Sequence, residues 1–153
     1  MKINIANNNY RYPVSLDLET IQALKEARQA ASHRSAAGGR FAAYDYLEVI
    51  YSIYVAWKLA RSATRNARAL AAALDIPMRQ GVSVIRIVIE ATWPSAETKQ
   101  KSRWTRALEC AHAEMTAPRS LISFIKAHGG VAGCARLAAV DDPKKRTDRD
   151  DWA

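Results

Sequence analysis

The chain is expected to fold as an all-α protein, a compact bundle of about six helices, and three observations carry that expectation. Apolar residues recur at helical spacing, as in Leu16, Leu18, Ile21 and Leu24, and again in Val82, Ile85, Val88 and Ile89. Alanine, the best helix former, is concentrated in runs such as Ala67-Arg68-Ala69-Leu70-Ala71-Ala72-Ala73-Leu74. Glycine and proline fall between the periodic segments, at Gly38-Gly39, Pro77, Pro94, Pro118 and Gly129-Gly130. With 153 residues, 49% of them apolar, the chain is long enough for one core. A single helical domain is therefore expected over residues 1–140, followed by a charged, flexible tail over 141–153.

Residues 1–13 alternate Ile3 and Ile5 with polar groups and then pass through Asn7-Asn8-Asn9, which suits a short strand or an arm. Ser15 or Asp17 can cap a first helix that should end near Ser32, and residues 33–40, with Gly38-Gly39, read as a flexible linker. Residues 41–59 are apolar nearly all round, interrupted by Asp45, Glu48, Ser52 and Lys58, so this helix must be central in its domain or buried against a partner. Ser62 and Thr64 are both plausible caps for the Ala-rich helix that follows. Asp75-Ile76-Pro77 breaks that helix, because proline lacks an N–H and restrains the residue before it.

Residues 78–92 carry Val82, Ile85, Val88 and Ile89 on one side of a helix and Arg79, Ser83, Arg86 and Glu90 on the other. A strand over 82–89 is the alternative, since β-branched residues favour sheets, but an isolated strand has nothing to pair with. Trp93-Pro94-Ser95 stops this element, and the next helix runs to about Met115. Pro118 starts a helix anchored by Leu121, Ile122, Phe124 and Ile125, which Gly129-Gly130 ends, and residues 131–140 form a short Ala-rich helix.

Charge is localised. Residues 58–106 hold ten Lys and Arg against three acids, nearly all of the formal +8. A basic surface concentrates polyanions near it. No window approaches the ~18 apolar residues of a membrane span, and the N-terminus lacks the apolar core of a secretory signal, so a cytoplasmic protein is expected. Two cysteines, Cys110 and Cys134, are too few for a disulfide scaffold and are expected as reduced thiols.

Residues 65–92, with Ala71, Leu74, Ile76, Val82 and Ile85 as packing positions, resemble the helix-turn-helix of bacterial DNA-binding regulators. The match departs in having Asp75 where such motifs often use Gly and a turn one residue longer than the commonest spacing. The resemblance implies a small regulator of transcription or of a mobile element that reads duplex DNA, with Arg79, Gln80, Ser83 and Arg86 facing the groove. Arg65, Arg68, Lys99, Lys101, Arg103 and Arg106 would complete the DNA-binding set by reaching phosphates. Because groove reading usually pairs two half-sites, a homodimer is implied, with residues 44–59 as a candidate interface or protein-partner site.

Two other classes compete with this reading. One is a helical interaction module, an inhibitor or adaptor, with no nucleic acid. The other is an RNA or single-strand binder using the basic cluster and Trp104, although a buried Trp104 is the plainer expectation. A second helix-turn-helix-like stretch at 121–137 lacks an apolar anchor for a recognition helix and reads as a packing hairpin. Cys110, His112, His128 and Cys134 match no common zinc spacing, and there is no glycine-rich phosphate loop or nucleophile motif. Neither a cofactor nor an enzyme is expected.

Overall fold

The expected all-α architecture is the one observed. A computed structural model describes residues 12, 13, 15–37 and 43–140. Among them lie α1 (Leu18–Ala37), α2 (Tyr44–Leu59), α3 (Ala63–Ala73), α4 (Val84–Thr92), α5 (Thr98–Ala113), a 3-10 turn (Pro118–Ser120) running into α6 (Leu121–Ala127), and α7 (Gly130–Val140). No strand occurs among the described residues. Most of the expected N-terminal arm and all of the charged tail lie outside them. Among the described residues no helix is long and apolar enough to cross a membrane. The described residues fall into two compact units, divided between Ser95 and Ala96.

The first unit is built from α1 to α4. Asp17 caps α1: its Oδ1 accepts the Thr20 N–H at 2.7 Å, and the Thr20 hydroxyl, then this backbone bond, holds the carboxyl below its usual pKa. The helix runs to Ala37, past the expected stop near Ser32, because nothing between Ser32 and Gly38 opposes it. Ala36 and Ala37 favour it. Residues 33–37 of the expected linker are thus helical. The helix expected over 41–59 is observed as Tyr44–Leu59, and residues 41–42 are not described. Tyr46, Leu47, Ile50, Tyr51, Ile53 and Trp57 are buried on it, and Trp57 Nε1 donates to Thr20 Oγ1 at 3.3 Å, tying α2 to α1.

At the centre of this unit is α4, which packs against α1, α2 and α3. Ile85, Ile87, Val88, Ile89, Ala91 and Thr92 are buried on its nine residues, and none of its residues is exposed. The expected helix over 78–92 therefore begins six residues later than predicted: Pro77 and Gly81 (φ +80°) keep the preceding chain irregular, and Ser83 is extended. The β-branched run is helical because burying Ile85, Ile87, Val88 and Ile89 outweighs a propensity difference of at most ~0.7 kcal/mol per residue. A polar clasp holds α4 to α2: Thr92 Oγ1 donates to Val88 O at 2.8 Å, so the 2.7 Å bond between Thr92 and Tyr46 takes its proton from the Tyr46 phenol. Burial pushes that phenol well above its ordinary pKa, so it stays protonated. Trp93 then meets the Tyr46 ring edge to face at 5.0 Å.

Three helices stop in the same way. After α2, α3 and α5, the second residue beyond the helix is left-handed: Arg61 (φ +56°), Asp75 (φ +54°) and Met115 (φ +57°). The next residue's N–H reaches back to the carbonyl of Trp57, Ala71 or Ala111 respectively, at 3.0, 2.9 and 3.0 Å. These are Schellman stops made without glycine.

The second unit packs α5 against α6 and α7, and α6 against α7. Trp104, Ala107, Leu108, Ala111, Leu121, Ile125 and Cys134 form its interior. Trp104 belongs to this core, as the plainer expectation had it. His128 and Gly129 turn the chain from α6 into α7, and the pair packs as a hairpin. Gly133 makes this possible, since a Cβ there would overlap the His128 carbonyl. Cys110 and Cys134 are thiols. Burial, then the neighbouring Cys110, push the Cys134 thiol up from 9.0 to about 11.

Replacing Met115, which is 91% exposed, with Gly should raise stability by about 0.5–1 kcal/mol in urea unfolding. The removed left-handed strain, about 1–2 kcal/mol, exceeds the entropy Gly adds to the unfolded chain. A less stable variant would refute the assigned turn. Gly133→Ala should instead lower stability by about 1–3 kcal/mol, because the clash is with backbone and cannot be relieved by a rotamer. For Cys134, a folded pKa above the unfolded one means that its stabilising contribution is complete below pH 9.0 and is lost as pH rises through about 11. At about pH 8 a thiol reagent should label Cys134 only after denaturant is added, whereas rapid native labelling would contradict its burial.

Candidate nucleic-acid interface

The corner between α2 and α3 gathers the basic residues. With Arg61 in the left-handed conformation and Ser62 N–H bonded to Trp57 O, the chain reverses within three residues and α3 starts at Ala63. Ala63, Asn66, Ala67, Leu70 and Ala71 face inward on α3 at helical spacing. The same periodicity puts Thr64, Arg65 and Arg68 outside, where all three are exposed. Lys58, on the last turn of α2, has its Nζ 6.0 Å from the Tyr54 ring. A cleft of about 610 Å³ results, lined by Lys58, Arg61, Ala63, Thr64, Arg65 and Arg68.

Among the described residues, four cations line this cleft and no carboxylate does. It also contains the start of α3, where first-turn N–H groups lack partners along the helix. Ser62 precedes them without capping them with its side chain, since its Oγ accepts instead from Asn66 Nδ2 at 3.1 Å. The partial positive end of α3 thus adds to the field of the side chains.

A second cleft of about 640 Å³ lies beside the loop over residues 74–83 and shares Thr64 and Arg68 with the first. Ile76, Met78 and Val82 give it an apolar lining, and Arg79 and Gln80 add polar ends. The loop is shaped by the left-handed Asp75, by Pro77, and by a turn in which Val82 N–H bonds Arg79 O at 3.1 Å over Gly81.

The sequence-predicted residues divide accordingly. Arg65 and Arg68 stand together on α3, while Arg79 and Gln80 are exposed on the loop and not on a recognition helix. Ser83 is the half-buried residue preceding α4, and Arg86 is half-buried, its Nε 3.1 Å from Glu90 Oε1. The ten residues joining α3 to α4 compare with the 3–4-residue turn of a helix-turn-helix. Of the nine α4 residues, Val84, Arg86 and Glu90 are half-buried and the other six are buried, so α4 shows solvent only a narrow strip in which Arg86 is paired with Glu90.

In the second unit, Lys99, Arg103 and Arg106 are exposed on one stripe of α5, at positions i, i+4 and i+7. They span about 10.5 Å at about 1.5 Å per residue. Lys101 is set apart from them. Two residues along a helix is more than half a turn, and its side of α5 is packed, leaving it 5% exposed.

Lys58, Arg61 and Thr64 were not among the residues the sequence suggested for DNA binding, although Thr64 was a candidate cap and Lys58 an interruption of the apolar helix. The signal for them was an acid-free run, four cations over residues 58–68, interrupted by a helix break that hides their shared surface. Among the described residues no three His, Cys, Asp or Glu side chains come together to hold a metal ion. The chain matches no protein-family model, no curated protein and no solved structure with which it was compared.

Proposed function

We propose that the chain binds nucleic acid, duplex DNA in the first instance, by holding the sugar–phosphate backbone in the cleft between the end of α2 and the start of α3. The observation that carries this is the lining itself: Lys58, Arg61, Arg65 and Arg68 converge with no acid among them. Such a set neutralises phosphates and releases counterions, which gives affinity without sequence information. Lys99, Arg103 and Arg106 on α5 are a second phosphate-binding stripe in this reading. Base contacts fall to Arg79 and Gln80 on the loop, because α4 is spent on the core. A role in regulating transcription or a mobile element, and binding as a homodimer on paired half-sites, belong to the same proposal.

The test is a salt titration of binding to random-sequence duplex. Replacing Arg61, Arg65 and Arg68 together with Ala should flatten the slope of log K against log salt by about 2.7, at about 0.9 for each phosphate left unneutralised. Helical content should not change, since all three side chains are exposed. Arg86→Ala should leave the slope where it was. A triple variant with the parent's slope, or a parent that binds no duplex at low salt, would overturn the reading.

A further inference from the structure

We propose that the cleft beside the 74–83 loop takes one unstacked nucleotide of the nucleic acid held at the α2–α3 corner, its base on Ile76, Met78 and Val82 and its phosphate at Arg68. The inference rests on the nucleic-acid reading above and names the form of substrate. Three features of the cleft lead to it. Its lining is apolar where a flat ring would lie and cationic at its edge, and Met78 is 41% exposed there although it is a large apolar side chain. Gln80, beside this surface, offers a donor and an acceptor on one planar amide, the pattern that pairs with a base edge. The cleft is continuous with the phosphate-binding corner, because Thr64 and Arg68 line both.

A base inside an intact duplex presents only its edges, since both faces are covered by stacking neighbours. An apolar cleft gains from a base only when that base has left the stack, as at a bulge, a gap or a single strand. The volume, about 640 Å³, falls in the range of about 300–1,000 Å³ usual for small-molecule sites. An acidic peptide with an aromatic side chain shares part of this chemistry. Continuity with a corner that carries four cations and no acid favours a phosphodiester chain instead, which places a charge beside every ring.

The experiment compares a fully paired duplex with the same duplex carrying one 2-aminopurine as a single-nucleotide bulge, using the full chain. The bulged duplex should bind about tenfold tighter, from stacking of one base. Its 2-aminopurine fluorescence should change on binding. Met78→Ala and, independently, Met78→Asp should abolish the preference and the fluorescence change while paired-duplex affinity stays within about twofold for the Ala variant. Equal affinity for the two duplexes would overturn the inference and leave backbone binding standing. An acidic aromatic peptide that binds this cleft in a Met78-dependent way, with no preference for the bulge, would overturn it in favour of a protein partner. Binding to neither duplex at low salt would overturn both proposals.

Discussion

The first unit depends on the burial of one short helix. With nine residues, α4 is too short to be stable alone, since isolated helices below about 12–15 residues are marginal in water. It exists because α1, α2 and α3 enclose it, and each of them has α4 as part of its own apolar surroundings. The buried polar groups follow from the same enclosure. Thr92 satisfies its hydroxyl within the helix and offers a lone pair to Tyr46, so the α2–α4 packing gains a directional bond where apolar surfaces alone would tolerate slippage.

That central role leaves α4 little surface of its own, and the exposed polar residues of this region stand on its flanks. Arg65 and Arg68 are available because Ala63, Ala67, Leu70 and Ala71 take the inner face of α3, leaving the opposite face to water. The corner cleft is in this sense a by-product of core packing. Its cations are held by the stop of α2, where the Arg61 and Ser62 N–H groups bond back to Lys58 O and Trp57 O, and by the start of α3.

Much of this was legible in the residues, and the parts that were not share a cause. The Ala-rich α3, the stop at residues 75–77 and the apolar spacing of α4 follow from local propensity and period, and all three are present. The start of α4 was misplaced because Arg79, Ser83 and Arg86 have helical spacing on paper, and only Pro77 and Gly81 argue otherwise. Lys101 was grouped with its neighbours by charge, although a two-residue step on a helix turns it away from them. Lys58 and Arg61 belong to the corner through a chain reversal that no periodic pattern crosses. The Tyr46–Thr92 bond joins residues 46 positions apart and had no local signal at all.

The construction of the 74–83 loop bears on how fast a partner could be engaged. A left-handed residue pinned by a helix stop, a proline with fixed φ and a glycine turn closed by a backbone bond leave this segment few alternative conformations. Little conformational entropy remains to be given up when something settles against it. Capture would then need no rearrangement step, and the rate of encounter would follow diffusion and the surrounding positive field. A segment of the same length made of glycine and serine could present the same side chains, but it would have to find this arrangement anew at each collision.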